Sequence, residues 1–491
     1  MKTKILLLIT LLLMVLIEIA PGQAYYGLDR NWLGSGVRAR SMGGAFIGLA
    51  NDASAITWNP AGLIQTLDPQ ISFSGSYTRP NSTIDLDYGT FMGGRLAVND
   101  NRFNINYASF LAPLTIKEHQ FSASIAYQKL DEINHAEMQN PYIYVPIIYY
   151  QWDSVVVSHL EEAVTGGMDV VNLGFGTSIM GGLAVGAAAN IYIGTADENY
   201  DVTAEWMDTK GAGQYEQDVR RLFRAHSLFD VSYSGFNMTF GLHYTWNKLK
   251  IGAVAKTPFE ITRKYDIIQN DTVWETATDL YVIVPQSDKA DFFLTDKKQK
   301  LEQPLTLGMG LAYNVKPNFV MSGDFEWRRF GRTSVSVLDS SFIRSSGQKD
   351  EFYTKYPSGF RNAGEGRIGF EYMLESDKAK IPIRGGFRYI QHYDADVDMA
   401  VTAYGRTEDQ IFIIAQGIAT GDRMTAYALS GGTGVHWSRI WLDAGFEYYT
   451  QDRTVVGADI DFYTELFPSK PFTGDNKLTR TRFSLNFTGF F

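Results

Sequence analysis

Residues 440–449 read Ile-Trp-Leu-Asp-Ala-Gly-Phe-Glu-Tyr-Tyr, and their alternation decides the fold class. The even positions from Ile440 to Tyr448 are apolar, whereas the positions between them are mostly polar or small. Successive side chains of a β-strand point to opposite faces, so this pattern predicts a strand with one apolar face. The same period recurs in residues 319–328 and 383–389. A soluble sandwich would bury the apolar face, whereas a barrel in lipid would turn it outward.

The lengths of the connections separate these two interpretations. Very short turns are predicted around Gly181-Gly182, Asn247-Lys248, Lys316-Pro317 and Ser438-Arg439, and polar segments of roughly twenty to forty-five residues lie between those hairpins. Outer-membrane barrels have this alternation of tight periplasmic turns and long outer loops. We therefore predict an all-β, transmembrane antiparallel barrel of about fourteen strands. The strands are predicted near residues 71–78, 103–110, 120–130, 170–180, 183–193, 231–246, 248–257, 304–314, 318–329, 366–374, 381–391, 424–437, 440–450 and 481–491.

The two ends of the chain both indicate export to the outer membrane of a bacterium. Residues 1–24 carry Lys2 and Lys4, then an apolar run and small residues, which predicts a secretory signal peptide. After residue 24 the sequence has no stretch of 18 apolar residues, so no later segment is predicted to be a membrane-spanning helix. The last strand ends on Phe491, a pattern that resembles the signal recognised by barrel-assembly machinery. We expect outer-membrane lipid and that machinery to be partners.

Composition and motifs exclude several function classes. A net charge of −10 argues against nucleic acid, and the absence of cysteine removes disulfides and thiolate metal sites. The seven histidines show no metal-binding spacing, and no nucleophile-elbow motif is present; Gly34-Ser35-Gly36 is a glycine-rich turn. We therefore expect no metal, no cofactor and no enzyme activity.

Residues 25–68 differ from the rest because they do not alternate. Five glycines lie between Gly34 and Gly48, and glycine at this density suits tight turns and close packing rather than a lipid-facing strand. We predict a compact hatch in the barrel lumen over residues 25–68 and a barrel with long extracellular loops over residues 69–491.

The hatch region resembles a known family. Residues 37–46 (Val-Arg-Ala-Arg-Ser-Met-Gly-Gly-Ala-Phe), 51–54 and 59–62 (Asn-Pro-Ala-Gly) are similar to the amino-terminal hatch of the FadL/toluene-channel (TodX) family of outer-membrane transporters. Residues 305–313, 324–327 and 381–389 are similar to its later strands. The resemblance implies a fourteen-stranded barrel plugged by a hatch. It assigns to the hatch Gly43, Gly44, Asn59, Pro60 and Ala61.

The family resemblance also implies a function, with one departure and one alternative. It implies passive, ligand-gated diffusion of long-chain fatty acids or hydrocarbons, with capture on outer loops, hatch movement and lateral release through a wall gap. In the family that gap follows an inward kink of the third strand, but residues 121–130 contain no Gly or Pro to mark one. A related branch of the family serves as an accessory barrel of a protein secretion system, and this alternative stays open.

Three groups of residues are candidate ligand-binding positions. An apolar and aromatic run in the loop between 131 and 167 favours ligand capture, although an extended strand or an aromatic girdle would also explain it. Helical spacing between 215 and 226 predicts a short amphipathic helix, which could bind ligand or only pack its loop. Inward arginines could bind a carboxylate, or could instead pair with wall carboxylates. The candidates are Tyr142, Tyr144, Ile147, Tyr149, Leu222, Phe223, Arg384 and Arg388.

Overall fold

The structure is a computed structural model, and nearly all of the chain that it describes is β-strand. It describes residues 33–87, 92–98, 101–116, 119–132, 136–143, 152–208, 219–277, 284–343, 349–358, 360–407, 410–461 and 471–491. The predicted signal peptide and residues 25–32 therefore lie outside the described part of the chain.

Twenty strands and four short helices make up the described fold. The helices are α1 (Val37–Ser41), α2 (Ala55–Trp58) and two 3-10 helices, Pro60–Gln65 and Phe330–Arg332. The strands are β1 (Gln70–Asp87), β2 (Met92–Val98), β3 (Arg102–Ile116), β4 (His119–Glu132), β5 (Ala136–Ile143), β6 (Trp152–Met180), β7 (Leu183–Asp208), β8 (Val219–Trp246), β9 (Leu249–Lys256), β10 (Phe259–Ala277), β11 (Val284–Gln303), β12 (Thr306–Lys316), β13 (Phe319–Arg328), β14 (Ser334–Ile343), β15 (Lys349–Pro357), β16 (Ala363–Glu375), β17 (Lys380–Thr407), β18 (Gln410–His436), β19 (Ile440–Asp461) and β20 (Pro471–Phe490).

Fourteen of these strands close an antiparallel barrel, as predicted. The circuit runs β1, β3, β4, β6, β7, β8, β9, β12, β13, β16, β17, β18, β19 and β20. It closes where β1 pairs with β20, from Gln70 opposite Phe490 to Asp87 opposite Thr473. The remaining strands β2, β5, β10, β11, β14 and β15 extend the wall beyond this circuit.

The wall is apolar outside and polar inside. On β13, Met321 and Phe325 leave 52% and 57% of their surface exposed, whereas Asp324 between them is 6% exposed and faces the interior. A soluble protein would bury the phenylalanine, so the exposed apolar face identifies a barrel that spans a membrane. Among the residues described, no helix is both long and apolar enough to cross a bilayer.

The tight turns follow the sequence signals. Gly181 and Gly182 join β6 to β7 with positive φ angles of 47° and 87°, which glycine adopts without strain. Asn247, at the β8–β9 turn, has a φ of 53°, and asparagine is among the few other residues that tolerate this region. These turns fix the register of their hairpins.

The structure differs from the sequence prediction in two features, the long loops and the short helix. Most of the polar segments between hairpins continue as strands, so that β6, β7 and β8 reach 29, 26 and 28 residues. The predicted helix over 215–226 is wrong from Val219 onward, because Val219 already pairs with Asp208 of β7 and Ala277 of β10. Pairing with β7 on one side and β10 on the other satisfies the backbone hydrogen-bonding groups of β8. This stabilises the strand more than the apolar spacing of residues 215–226 would stabilise a helix.

Candidate functional site in the barrel lumen

Residues 33–68, here called the inner segment, pack against the inward face of the wall. Inward glycines of the wall strands let its backbone come close: a Cβ on Gly252 would lie 2.1 Å from the carbonyl oxygen of Ile47. Four strands further round the barrel, on β17, a Cβ on Gly386 would lie 2.1 Å from the nitrogen of Gly43. Side chains at these positions would push the inner segment away. The wall glycines that touch it include Gly174, Gly176, Gly186, Gly241, Gly252, Gly310, Gly369, Gly386 and Gly432.

Polar side chains anchor the inner segment. The carboxylate of Asp324 accepts hydrogen bonds from the backbone nitrogens of Phe46, at 2.5 Å, and Ile47, at 2.6 Å. Asn59 spans both sides: its Nδ2 donates to the carbonyls of Ile47 and Leu242, each at 3.0 Å, and its Oδ1 accepts from the nitrogen of Ala61 at 3.2 Å. Asn59 therefore holds two turns of the inner segment and the wall together.

The remaining resemblance-derived hatch positions lie in the same segment. Gly43 and Gly44 have positive φ angles of 68° and 77°, and the Gly43 nitrogen donates to Ser430 Oγ at 2.9 Å. Pro60 begins the 3-10 helix, and Ala61 is fully buried. These positions shape the turns by which the inner segment follows the wall.

Arg38 forms an ion-pair link between the inner segment and the wall. It donates to both carboxylate oxygens of Glu371, at 2.8 and 2.7 Å, and also to Asn51 and Asp52. Burial opposes the charge of Arg38, but Glu371 outweighs it and raises the pKa of the guanidinium above its ordinary value. The arginine is therefore a permanent cation at this contact.

The two candidate arginines lie in this ionic network rather than beside an open cavity. Arg384 donates to Glu371 at 2.7 Å and to Asp443 at 2.6 Å. Arg388 donates to Glu447 at 3.2 Å and lies 3.6 Å from Glu365. Both contacts match the alternative in which wall charges neutralise one another.

A cavity, here called the lumen pocket, lies between one edge of the inner segment and the wall. Leu33, Gly34, Ile56 and Thr57 form its inner-segment side. Strands β4, β6, β7 and β8 contribute Gln128, Val170, Asn172, Asn190, Tyr192, Asn237 and Thr239. The rest of the lining comes from the end of β9, the start of β12, the end of β13 and the residues next to them. These are Lys256, Phe259, Gln303, Pro304, Thr306, Arg328 and Phe330. Polar and aromatic side chains thus share one cavity.

An amide ladder and an aromatic pair shape the lumen pocket. Asn172 donates to Asn190 and Asn190 to Asn237, both at 2.7 Å. The rings of Tyr192 and Phe259 stack with centroids 4.5 Å apart. The hydrogen bonds hold the polar wall rigid, and the stacked rings offer an apolar surface.

Several polar groups at the lumen pocket lack a protein partner. The Oδ1 of Asn172 and the Nε2 of Gln303 are buried without a hydrogen bond, although both residues are only 4% exposed. Lys256 forms no ion pair within 4 Å among the residues that the structure describes, although the charges of Glu326 and Glu365 act on it from farther away. Buried polar groups are normally satisfied, so the free atoms of Asn172 and Gln303 indicate the position of a ligand or of water.

The outer-loop candidates cannot be placed as side chains. Tyr144, Ile147 and Tyr149 lie outside the described residues. Tyr142 lies in β5, and Leu222 and Phe223 lie in β8, with only their backbone described. Their role in ligand capture remains a prediction.

The third wall strand, β4, is paired along both edges. Tyr107 to Ile116 of β3 pair with Gln128 to His119 without interruption. Along the other edge, β6 pairs with residues 121–129 continuously, and the register shifts only between Lys129 and Asp131. The wall is therefore closed at the position where the resemblance would put a gap.

Solved structures with the same architecture are toluene transporters and a FadL homologue. The Pseudomonas putida toluene transporter TodX aligns over 94% of this chain and 99% of its own, with a TM-score of 0.55 and 12% identity. A Pseudomonas aeruginosa FadL homologue covers 93% and 98%, with a TM-score of 0.53 and 12% identity. The Ralstonia pickettii toluene transporter TbuX covers 94% and 99%, with a TM-score of 0.52 and 14% identity.

The chain has the fold of the FadL/toluene-channel family. No protein-family model and no curated protein sequence matches it. The chain therefore has the FadL fold although its sequence is only 12–14% identical to these proteins, and it aligns with 98–99% of their length. The fold recognised from the residues around Asn59-Pro60-Ala61 is confirmed.

Sequence reasoning missed the lumen pocket of this FadL-type barrel. Asn172, Asn190 and Asn237 are inward residues on three successive strands. Three inward amides at matching positions would have been a usable signal, but it depends on the register, which alternation alone does not give. Lys256 and Gln303 come together only through the pairing of strands that are far apart in sequence.

Proposed function

We propose that the protein is a passive channel of a bacterial outer membrane that passes amphiphiles with an anionic head group, such as long-chain fatty acids. The solved structures with this fold are described as transporters of toluene and other monoaromatic hydrocarbons or as FadL homologues, which supports a hydrophobic cargo and argues against catalysis. The polar groups of the lumen pocket support an anionic head group rather than a hydrocarbon.

The observation that carries the proposal is Lys256 at the lumen pocket. Lys256 forms no ion pair within 4 Å among the described residues, with Glu326 and Glu365 acting on its charge only from farther away, and the nearby Tyr192–Phe259 pair offers an aromatic surface. An anionic head group on Lys256 would gain a charge-assisted hydrogen bond, and the chain behind it would lie on the aromatic rings. A hydrocarbon would leave the Nε2 of Gln303 unsatisfied, which is unfavourable in a buried site.

Gating is assigned to the inner segment. It borders the lumen pocket through Leu33, Gly34, Ile56 and Thr57, so a bound ligand would contact this segment directly. Movement of this segment would break the Arg38–Glu371 and Asp324 contacts and would let the ligand advance.

The first test measures binding and uptake of palmitate and of hexadecanol, which differ at the head group. In the Lys256→Met variant we expect palmitate binding to weaken about tenfold or more, because a hydrogen bond to a charged group contributes about 1.5–3 kcal/mol. Hexadecanol binding should change little. Lys248→Met, at the exposed β8–β9 turn, is the matched control.

Two outcomes would overturn the proposal. One is equal palmitate binding in the wild type and the Lys256→Met variant. The other is native mass spectrometry that finds no co-purified lipid or hydrocarbon, together with unchanged fatty-acid uptake in a deletion strain. Co-purification of exported proteins and a secretion defect would instead favour the accessory role in secretion.

A further inference from the structure

Four arginines approach one carboxylate where the inner segment meets the inward faces of β17, β19 and β20. The carboxylate is Glu447, which lies directly opposite Arg482 in the β19–β20 ladder. Arg388 donates to it at 3.2 Å, and the Nη2 of Arg480 lies 3.9 Å from its Oε1. Arg40 of the inner segment and Arg482 act on its charge from farther away. These five side chains are here called the arginine cluster.

Helix α1 brings Arg40 to the arginine cluster. A Cβ on Gly445 of β19 would lie 2.7 Å from the Oγ of Ser41 and 2.9 Å from Val37, so α1 rests against the wall two residues from Glu447. Burial and the neighbouring arginines together lower the pKa of Arg40 to about 9, because Glu447 alone does not offset them. The positive charge at this contact is therefore in excess.

The arginine cluster has more donors than its carboxylate satisfies. The Nε of Arg388 and the Nε of Arg480 are buried without a hydrogen bond, and so is the Oε1 of Glu447. Arg40 forms no hydrogen bond and no ion pair within 4 Å among the residues that the structure describes. Buried charged groups are normally paired, so these free donors indicate the position of a further anion.

A second carboxylate nearby, Glu365, does not balance the arginine cluster. It lies 3.6 Å from the Nε of Arg388, which is too long for a hydrogen bond. It also pairs with Arg328 at 3.3 Å and with Arg367 at 3.0 Å. Because three arginines share this carboxylate, it leaves the charge of Arg40 uncompensated.

The arginine cluster is reached by solvent, and its guanidinium groups are held in place. The side chain of Arg480 is 30% exposed, and its guanidinium lies over the ring of Tyr449, 4.9 Å from the centroid. The Nε of Arg482 donates to Thr78 at 3.1 Å. Guanidinium groups bind oxyanions through paired N–H donors, and a tetrahedral oxyanion has enough oxygen atoms to accept from several arginines at once.

The arginine cluster is separate from the lumen pocket. The pocket is lined by the inner segment and by residues on or next to strands between β4 and β13, and no member of the cluster is among its lining residues. A carboxylate head group at Lys256 and a small anion in the cluster can therefore be bound at the same time.

We propose that the arginine cluster binds a small inorganic oxyanion, phosphate or sulfate, which joins Arg40 of the inner segment to the wall at Arg480 and Arg388. The bound anion neutralises the excess positive charge and holds α1 against β19 and β20. It is a second ionic link between the inner segment and the wall, beside the direct pair of Arg38 with Glu371. Without the anion the arginines repel one another, and the inner segment is held less tightly.

The first test measures phosphate binding to the full chain in detergent by isothermal titration calorimetry at constant ionic strength. Arg40→Met and Arg480→Met should each weaken binding about tenfold or more, because each removes charged donors to the anion. Lys477→Met, at an exposed position of the same strand as Arg480, is the matched control and should bind as the wild type does. Equal binding in the control and in both arginine variants would overturn the proposal.

A variant with the opposite sign separates binding from a merely structural role. Glu447→Gln keeps the size of the side chain but removes the negative charge beside the anion. Phosphate binding should become about tenfold tighter or more, because a like charge next to a bound ion is strongly unfavourable. Weaker binding in Glu447→Gln than in the wild type would count against the site.

Protease accessibility of the inner segment tests the link to the wall. Phosphate should slow cleavage of this segment in the wild type and in Lys477→Met, and it should have no effect in Arg40→Met. Equal protection in all three would contradict an anion held by Arg40.

Palmitate distinguishes a free oxyanion from a lipid head group. We expect palmitate to leave phosphate binding unchanged, and the Lys256→Met variant to bind phosphate as the wild type does. Displacement of phosphate by palmitate would show that the arginine cluster receives the head group of the cargo, and it would overturn the assignment of a free oxyanion. Failure of the palmitate experiments on Lys256 alone leaves the anion site standing, because the site does not rest on the proposed function.

Discussion

At the scale of single residues, Arg38 is the side chain whose loss should loosen the inner segment. Its four hydrogen bonds reach Glu371 on the wall and Asn51 and Asp52 within the segment. Arg38→Met keeps the length of the side chain but removes every donor, and each bond lost to a charged partner costs about 1.5–3 kcal/mol. We expect more frequent open events in planar-bilayer recordings.

The control for Arg38 is Arg439→Met, which removes an exposed arginine from the β18–β19 turn. It should leave the recordings unchanged. Equal opening frequencies in Arg38→Met and the wild type would show that the ion pair does not restrain the segment.

Arg384 shows what single-residue reasoning could not predict. Alternation places Arg384 on the inward face, but its partner Asp443 lies on β19, with β18 between them. The side chains meet across Gly432 and Gly434 of β18, where a Cβ on Gly434 would lie 2.5 Å from the Asp443 carboxylate. The pairing depends on the register of three strands, and no pattern within one strand contains it.

At the scale of the strands, the inward glycines make a prediction that a matched pair can test. Gly252→Val should displace the inner segment, because its Cβ would lie 2.1 Å from the Ile47 carbonyl oxygen. Gly366→Val, on β16, meets nothing within 4 Å and should behave as the wild type. Protease accessibility of the inner segment measures the displacement. Equal cleavage of the two variants would contradict the close contact.

The strands also show how far the sequence predicts this fold. Each of the fourteen predicted strands corresponds to one wall strand, because one face of each must meet lipid and the alternation is strong there. The strand extensions beyond the membrane were missed, since no lipid imposes alternation on them. The interruption where Pro258 lies opposite Pro304 was missed because prolines are ordinary turn signals in sequence, and these two become neighbours only through the barrel register.

At the scale of the whole molecule, we expect removal of residues 25–68 to convert a closed barrel into an open pore. The inner segment touches glycines on β6, β7, β8, β9, β12, β16, β17 and β18, so its removal leaves the lumen without those contacts. Planar-bilayer conductance should rise to a steady, large value. A truncated barrel that assembles and still conducts as the wild type would mean that the segment does not block the lumen.

The pairing of β1 with β20 constrains how the molecule is made. The inner segment immediately precedes β1, and eighteen residues of β1 join β20 to complete the ring. Once the β1–β20 ladder has formed, the segment could enter the lumen only along the barrel axis, because the wall strands around it are paired on both sides. We therefore expect the inner segment to lie against the wall strands before β1 pairs with β20 and closes the ring.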